Sequence, residues 1–550
     1  MNRMTHLRKT ALKLASLACL AALPVHAAQI QIINIDPPGV GFNDPTAATP
    51  VGGNPGTTVG QQRLNAYQRA LDLWGSVLKS KVPIQVVGSF SAFPPALCAG
   101  NVLAQAGAIS IFADFPHAAK ANTWYGVALA NAMAGEDLTP GQDTAADGFA
   151  GADIVAQFNG GIGAPNCIPG STWYYGLDNA PPAGAIDFLN TFMHEVAHGL
   201  GFADFIDVSN GLPPAFPDSP FPDIYMRNVL DTQVGKTWDQ LTPAQIVASA
   251  ARTGKVVWKG KQVTKSAPDV LGPFTSLRIT APANLARDLE TGTAAFGPAA
   301  TTANFSGQVV LGTDAGDPSL TNGCGPITPA VAGKIALVDR GVCGFVVKAA
   351  NAQAAGASAV LIANNAPGTI GMAGADPTVV IPTLMVSLAD GTLIKGSLPG
   401  VSVGVSVDPT RLAGADANDR VRLYAPEVIA PGSSISHFDT VAEPNLLMEP
   451  AITSTLRAGS NVDLTAQLFK DIGWQIESLK IGRCDTQVPN VTPVGDIVSV
   501  QVEQCAADSS NKLQFIGCVT HVAAGLIRQH FIDFGDGARM VVCSALARKP

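Results

Sequence analysis

The sequence predicts an α+β chain of several units, and three observations carry that expectation. With 56 glycines, 40 prolines and only 14% charged residues, turn-rich sheet structure is favoured over a helical bundle. The first block reads strand, helix, strands, helix, while the middle carries a strand, helix, strand pattern of βαβ type. At 550 residues the chain has room for roughly three or four domains.

The opening "MNRMTHLRKTALKLASLACLAALPVHAAQ" has a basic start, an apolar run from Ala11 to Val25 and small residues at Ala27 and Ala28. This is the layout of a secretory signal peptide, placed at residues 1–28, and it predicts a secreted protein, extracellular or periplasmic. No later stretch offers about 18 uninterrupted apolar residues, so no stable membrane span is expected. The net charge is −8, and losing Arg3, Arg8, Lys9 and Lys13 with the leader would make it −12. Such an acidic chain has no electrostatic footprint for nucleic acid. Cys19 leaves with the leader, and an even number of cysteines then enters an oxidising compartment. Local spacing pairs Cys98 with Cys167 and Cys324 with Cys343; Cys484, Cys505, Cys518 and Cys543 form two bridges of open connectivity.

Along residues 29–211, "IQIINID" reads as a strand, followed by a helix whose Leu64, Tyr67, Leu71, Trp74 and Leu78 make one apolar stripe. "VPIQVVGSF" is a buried strand; "ADIVAQFN" is another, either interior or an edge open to an extended peptide. "STWYYGLDNAPP" either walls a cleft or packs inside. "DFLNTFMHEVAHGL", residues 187–200, is a helix with Leu189, Phe192, Met193, Val196 and Leu200 on its apolar side, ended by Gly199 and Gly201. The middle βαβ unit comprises "GKIALVDRG", "FVVKAANAQAAG" closed by Gly356, and "ASAVLIANN". After it come "GSSISHFDTVAEPNLLMEP" and a helix with Leu464, Leu468 and Ile472 on one face. Residues 477–550 read as a small disulfide-rich module.

His194 and His198 are one helical turn apart and project together. The H-E-x-x-H spacing suits zinc: two imidazoles from a rigid turn, a third protein ligand from elsewhere, and a position left for water. Glu195, beside the first ligand, is placed to act as general base. By residue count alone the third ligand stays open among His117, His437, His521, His530 and Asp204, the last completing H-E-x-x-H-x-x-G-x-x-D locally.

Gly333 to Phe345 with Lys348, Gly356 to Asn365 and Ile381 to Ser387 make residues 274–409 resemble a protease-associated (PA) domain. In such families it is a noncatalytic insert that governs substrate access or contacts another protein. "HEVAHGLGF" resembles the active-site helix of metzincin proteases, and "GSSISHFD", "LLMEP" and "LTAQLFKDIGW" resemble the leishmanolysin branch. That resemblance implies His194, His198 and His437 as zinc ligands, Glu195 as base and Met448 as the residue of the Met-turn. It implies a metzincin-like catalytic unit made of residues 29–211 and 430–476, interrupted by the PA domain, and a zinc endopeptidase acting on protein or peptide substrates. The insertion before His437 is longer than the family needs. Two other readings stay open: an inactive extracellular binding protein on the same scaffold, and a zinc hydrolase of non-peptide amides.

Overall fold

A computed structural model describes residues 28–547 apart from 141–150, 215–219, 373, 375 and 454. The expected leader, but for Ala28, lies outside the described residues. The chain is a mixture of α and β elements gathered around one large core, which runs from Ala28 to Leu271 and resumes from Ala415 to Ile497.

That core is built on a four-stranded sheet. Strands β1 (Ile30–Asn34), β2 (Ile84–Ser91), β3 (Ala104–Ala108) and β4 (Ile154–Asn159) stand in the order β1-β2-β4-β3; β3 alone is antiparallel. Helix α1 (Val59–Val77) starts where Thr58 accepts a hydrogen bond from Gln61 N, and it buries Tyr67, Leu71 and Trp74 as the apolar stripe predicts. The "ADIVAQFN" strand is interior, pairing with β2 on one edge and β3 on the other, and it buries Ile154, Ala156 and Phe158. The edge facing away from β4 therefore belongs to β3, whose "AQAGA" carries no strand-forming residue that sequence reading could have caught.

Helix α2 (Phe188–Gly199) carries the two histidines and packs against α1 and this sheet. The Trp74 indole donates to Met193 O at 2.9 Å, locking the two helices together. Phe192 stacks on Phe158 with ring centroids 4.8 Å apart. Gly199 ends the helix against β4, where an added Cβ would lie 2.3 Å from the Ile154 side chain. Gly201 then turns the chain with φ +116, a conformation side chains resist.

Between Val229 and Val270 a three-stranded sheet and two helices join the same core, which includes Trp238 and Trp258. The inserted α/β unit follows, and its eight-stranded sheet includes β5 (Pro273–Ala281), β6 (Ser306–Leu311), β7 (Ile335–Asp339), β8 (Ala359–Ala363), β9 (Thr383–Val386) and β10 (Ser402–Leu412). Helix α3 (Phe345–Ala354) connects the parallel pair β7 and β8. Alternate residues of these strands feed two separate clusters, Leu337 and Leu361 on one face, Val338 and Ile362 on the other, which explains their unbroken apolar runs. The unit enters on β5 and leaves on β10; these are antiparallel neighbours in which Pro273 pairs with Leu412.

The tail has its own small core, formed by β11 (Ser478–Ile481), β12 (Cys484–Pro489) and three helices, α4 (Val498–Asp508), α5 (Lys512–Arg528) and α6 (Phe534–Leu546). The chain holds disulfides Cys98–Cys167, Cys324–Cys343, Cys484–Cys543 and Cys505–Cys518. Among the described residues no helix is long and apolar enough to cross a membrane.

The close approach of α2 to β4 yields a double-mutant test. Gly199→Ala is expected to cost about 1–3 kcal/mol by overpacking, and Ile154→Ala about 2–5 kcal/mol by leaving a cavity. Combined, they are expected to destabilise the host unit by at least about 1 kcal/mol less than their sum in denaturation experiments. Simple additivity would contradict the contact.

Candidate metal centre

The N-terminus of α2 is fixed by a buried polar lattice. Asp187 caps the helix by accepting from Asn190 N at 2.9 Å, while Asn179 Nδ2 donates to both Asp187 Oδ2 and Asn190 Oδ1. The same two asparagines accept from Ala458 N and Gly459 N, tying the helix to chain well beyond the insert. Hydrogen bonds this complete offset the desolvation of the buried amides and fix one arrangement.

From that anchored helix, His194 and His198 point together, and the 433–437 loop brings His437 to them. The Nε2 atoms of His198 and His437 lie 3.1 and 3.2 Å from His194 Nε2. Each ring makes its other contact with a backbone carbonyl: His194 Nδ1 with Leu447 O at 2.7 Å, His198 Nδ1 with Phe202 O and His437 Nδ1 with Ser433 O, both at 2.8 Å. A carbonyl can only accept, so the proton of each neutral ring sits on Nδ1 and each Nε2 presents a bare lone pair. Burial pushes the His194 imidazole down to about 3 and His198 to about 4, and it drives His437 well below the usual range, so all three rings are neutral at pH 7.

Three inward lone pairs with no proton between them repel one another unless a cation sits among them. The spacing fits such an ion: tetrahedral zinc with bonds of about 2.0–2.1 Å separates its ligand atoms by about 3.3–3.4 Å. Among the described residues, this trio is the one group of three or more histidine, cysteine or carboxylate side chains close enough to share a metal.

Glu195 is buried beside the trio, and loss of solvent pushes its carboxyl up to about 8. Met448 is fully buried in a turn that touches both halves of the site: Leu447 O accepts from His194, and Met448 O accepts from Phe438 N at 2.8 Å. The turn is in turn held by Asp463, which accepts from Leu447 N and from Thr465 N. Sequence reading missed Asp463 and the three carbonyl acceptors; backbone acceptors leave no trace in residue identity, although Asp463-x-Thr465 has the spacing of a local side-chain turn. Asp204 does not join the trio. Its Oδ2 instead accepts from Ser436 Oγ at 2.8 Å. His117, His521 and His530 also lie outside the cluster. The aromatics of "STWYYGLDNAPP" pack against the core, with half-buried Trp173 and Tyr175 each 5.4 Å from Phe188, while Thr172, Asp178, Ala180 and Pro182 are exposed.

Residues 299–394 match the PA domain family, which places that domain within the eight-stranded unit. No curated protein matches the chain. Among solved structures it is similar to BSAP, a zinc aminopeptidase from Bacillus subtilis, at 23% identity over 26% of this chain and 36% of that one, with a TM-score of 0.19. An aminopeptidase from Aneurinibacillus sp. strain AM-1 matches at 23% identity over 28% and 38%, TM-score 0.18. The psychrophilic subtilisin-like protease Apa1 from Pseudoalteromonas sp. AS-11 matches at 20% over 25% and 34%, TM-score 0.20. The chain thus spans about a third of the length of each, and likenesses this slight say nothing about the histidine site.

The tautomers are directly observable. In metal-free protein labelled with 15N-histidine, nitrogen shifts at pH 6 are expected to show His194, His198 and His437 neutral with the proton on Nδ1. Protonated rings, or rings carrying the proton on Nε2, would contradict the hydrogen-bond assignment.

Proposed function

We propose that the chain is an exported zinc-dependent endopeptidase of metzincin type. The convergence of three deprotonated Nε2 atoms beside a buried glutamate is the observation that carries this reading. His194, His198 and His437 hold the ion. Zinc so held supplies Lewis acidity to a peptide carbonyl and to water. Glu195 takes the proton of the attacking water on its carboxylate and returns it to the leaving amine nitrogen. A carboxyl whose burial favours the protonated form is suited to hold that proton between the two steps; the charge of a bound cation would bring its pKa back down toward the working range.

An extended substrate has a place to bind. Strand β3 packs against α2 and, among the described residues, pairs on one side only, with β4, so its other edge offers backbone donors and acceptors to a peptide. Cys98–Cys167 staples the chain near the end of this edge, and Asn159, which donates to Val102 O, braces the same corner. In this reading residues 29–211 and 430–476, together with the 224–271 and 415–425 stretches that share their core, form the catalytic unit, the PA domain regulates access to it or contacts another protein, and residues 477–550 are a stapled appendage. The resemblance of "HEVAHGLGF" and the His437 to Met448 stretch to the leishmanolysin branch supports the metzincin assignment. The leader-like pattern of residues 1–28 and four disulfides support export.

Glu195→Gln is expected to lower casein hydrolysis by about 100- to 10,000-fold while leaving one zinc per chain, as removal of a general base does. His437→Ala is expected to lose both zinc and hydrolysis. Full activity in Glu195→Gln, measured on fluorescent casein beside metal analysis of the same samples, would reject the mechanism.

A further inference from the structure

Asp204 has the spacing of a third ligand yet spends its carboxylate elsewhere. Its Oδ2 accepts from Ser436 Oγ at 2.8 Å, the same hydroxyl accepts from Asp204 N at 3.2 Å, and its Oδ1 accepts from Ile206 N at 3.1 Å. The Asp204–Ser436 pair is thus a closed two-bond ring, and Ser436 immediately precedes His437.

The next residue back shows why such a ring matters. Ile435 is fully buried with φ +72, a left-handed conformation that a β-branched side chain adopts only when its surroundings impose it. Those surroundings are on the page: Ile435 N donates to Tyr424 O at 2.7 Å, and Ile435 O accepts from the Tyr225 hydroxyl at 2.9 Å. Tyr225 is itself fixed to the Asp204 side, because its neighbour Asp223 accepts from Phe205 N at 2.9 Å. The loop bearing His437 is therefore held by Asp204, just after α2, and by Tyr225, ahead of the three-stranded sheet.

Two of the three imidazoles are positioned by one helical turn; the third stands 243 residues from the first and has no such help. We propose that Asp204 and Ser436, assisted by Tyr225, form a latch that positions His437 for the metal, so that Asp204 is a positioning residue and not a ligand. This rests on the metal reading above. A latch of this kind costs affinity when broken, since the ring it holds must then be ordered by the ion itself.

The test uses the full chain and two readouts besides activity: the zinc dissociation constant, by competition with a chromophoric chelator, and the visible spectrum of the cobalt-loaded protein. Asp204→Ala and Ser436→Ala are each expected to weaken zinc by about 10- to 100-fold. The double variant is expected to be no weaker than either single one, because both break the same ring. At saturating cobalt both are expected to regain the wild-type bands, as three nitrogens still bind, whereas His437→Ala does not. Ser436→Thr, which keeps the hydroxyl, is expected to restore wild-type affinity. Ser436→Ala removes one oxygen from a part-buried side chain and carries the test if Asp204→Ala does not fold. Wild-type zinc affinity in both alanine variants would overturn the latch while leaving the metal reading intact. Altered cobalt bands in Asp204→Ala alone would overturn it by making Asp204 a ligand. A wild-type chain that binds no zinc would overturn both.

Discussion

Each histidine of the trio gives its Nδ1 proton to a backbone carbonyl, and from that choice follow three Nε2 lone pairs meeting at 3.1 and 3.2 Å. The carbonyls come from three places: Phe202 just after α2, Ser433 before His437, and Leu447 in the turn that holds Met448. The site therefore depends on those three backbone segments keeping register with one another. Much of the surrounding polar structure does that work: Asn179 and Asn190 bind the helix to residues 458 and 459, Asp463 holds the Leu447 turn, and the Trp474 indole donates to Leu200 O at 2.8 Å. Buried groups so paired select one arrangement, which three converging rings with separate anchors require.

The same constraint explains how a PA domain can sit between His198 and His437. Because Pro273 pairs with Leu412, the insert leaves the large core and re-enters it at nearly one point, and its own two clusters close on either face of its own sheet. A long excursion of this sort adds little closure entropy beyond that of a short loop, since the cost grows only with the logarithm of length. The stretches on either side of the insert then pack against each other: Trp258 N donates to Val421 O, and Leu423 bridges to Phe438 next to the third histidine. Order in the returning chain is thus built partly from the residues that precede the departure.

What sequence made legible was local. The α1 stripe, the α2 motif, the βαβ unit and the apolar face of the helix at Thr465–Ile472 all announce themselves by spacing within one element. What it hid was pairing across distance. "ADIVAQFN" has the same letters whether it lies inside a sheet or at its edge, and the real edge, "AQAGA", looks like loop because its strand character comes from pairing with β4. The four tail cysteines admit several connectivities until β12 and the three helices are packed. Asp204 shows the limit most sharply, since a spacing compatible with ligation is equally compatible with holding Ser436, and only the position of the 433–437 loop separates the two.

X-ray absorption at the zinc edge of the purified mature chain tests the central claim most directly. The account predicts one zinc per chain with a first shell of light atoms at about 2.0–2.1 Å, and an outer-shell pattern requiring three imidazoles. A first shell containing sulfur, or one fitted by only two imidazoles and a carboxylate, would contradict it.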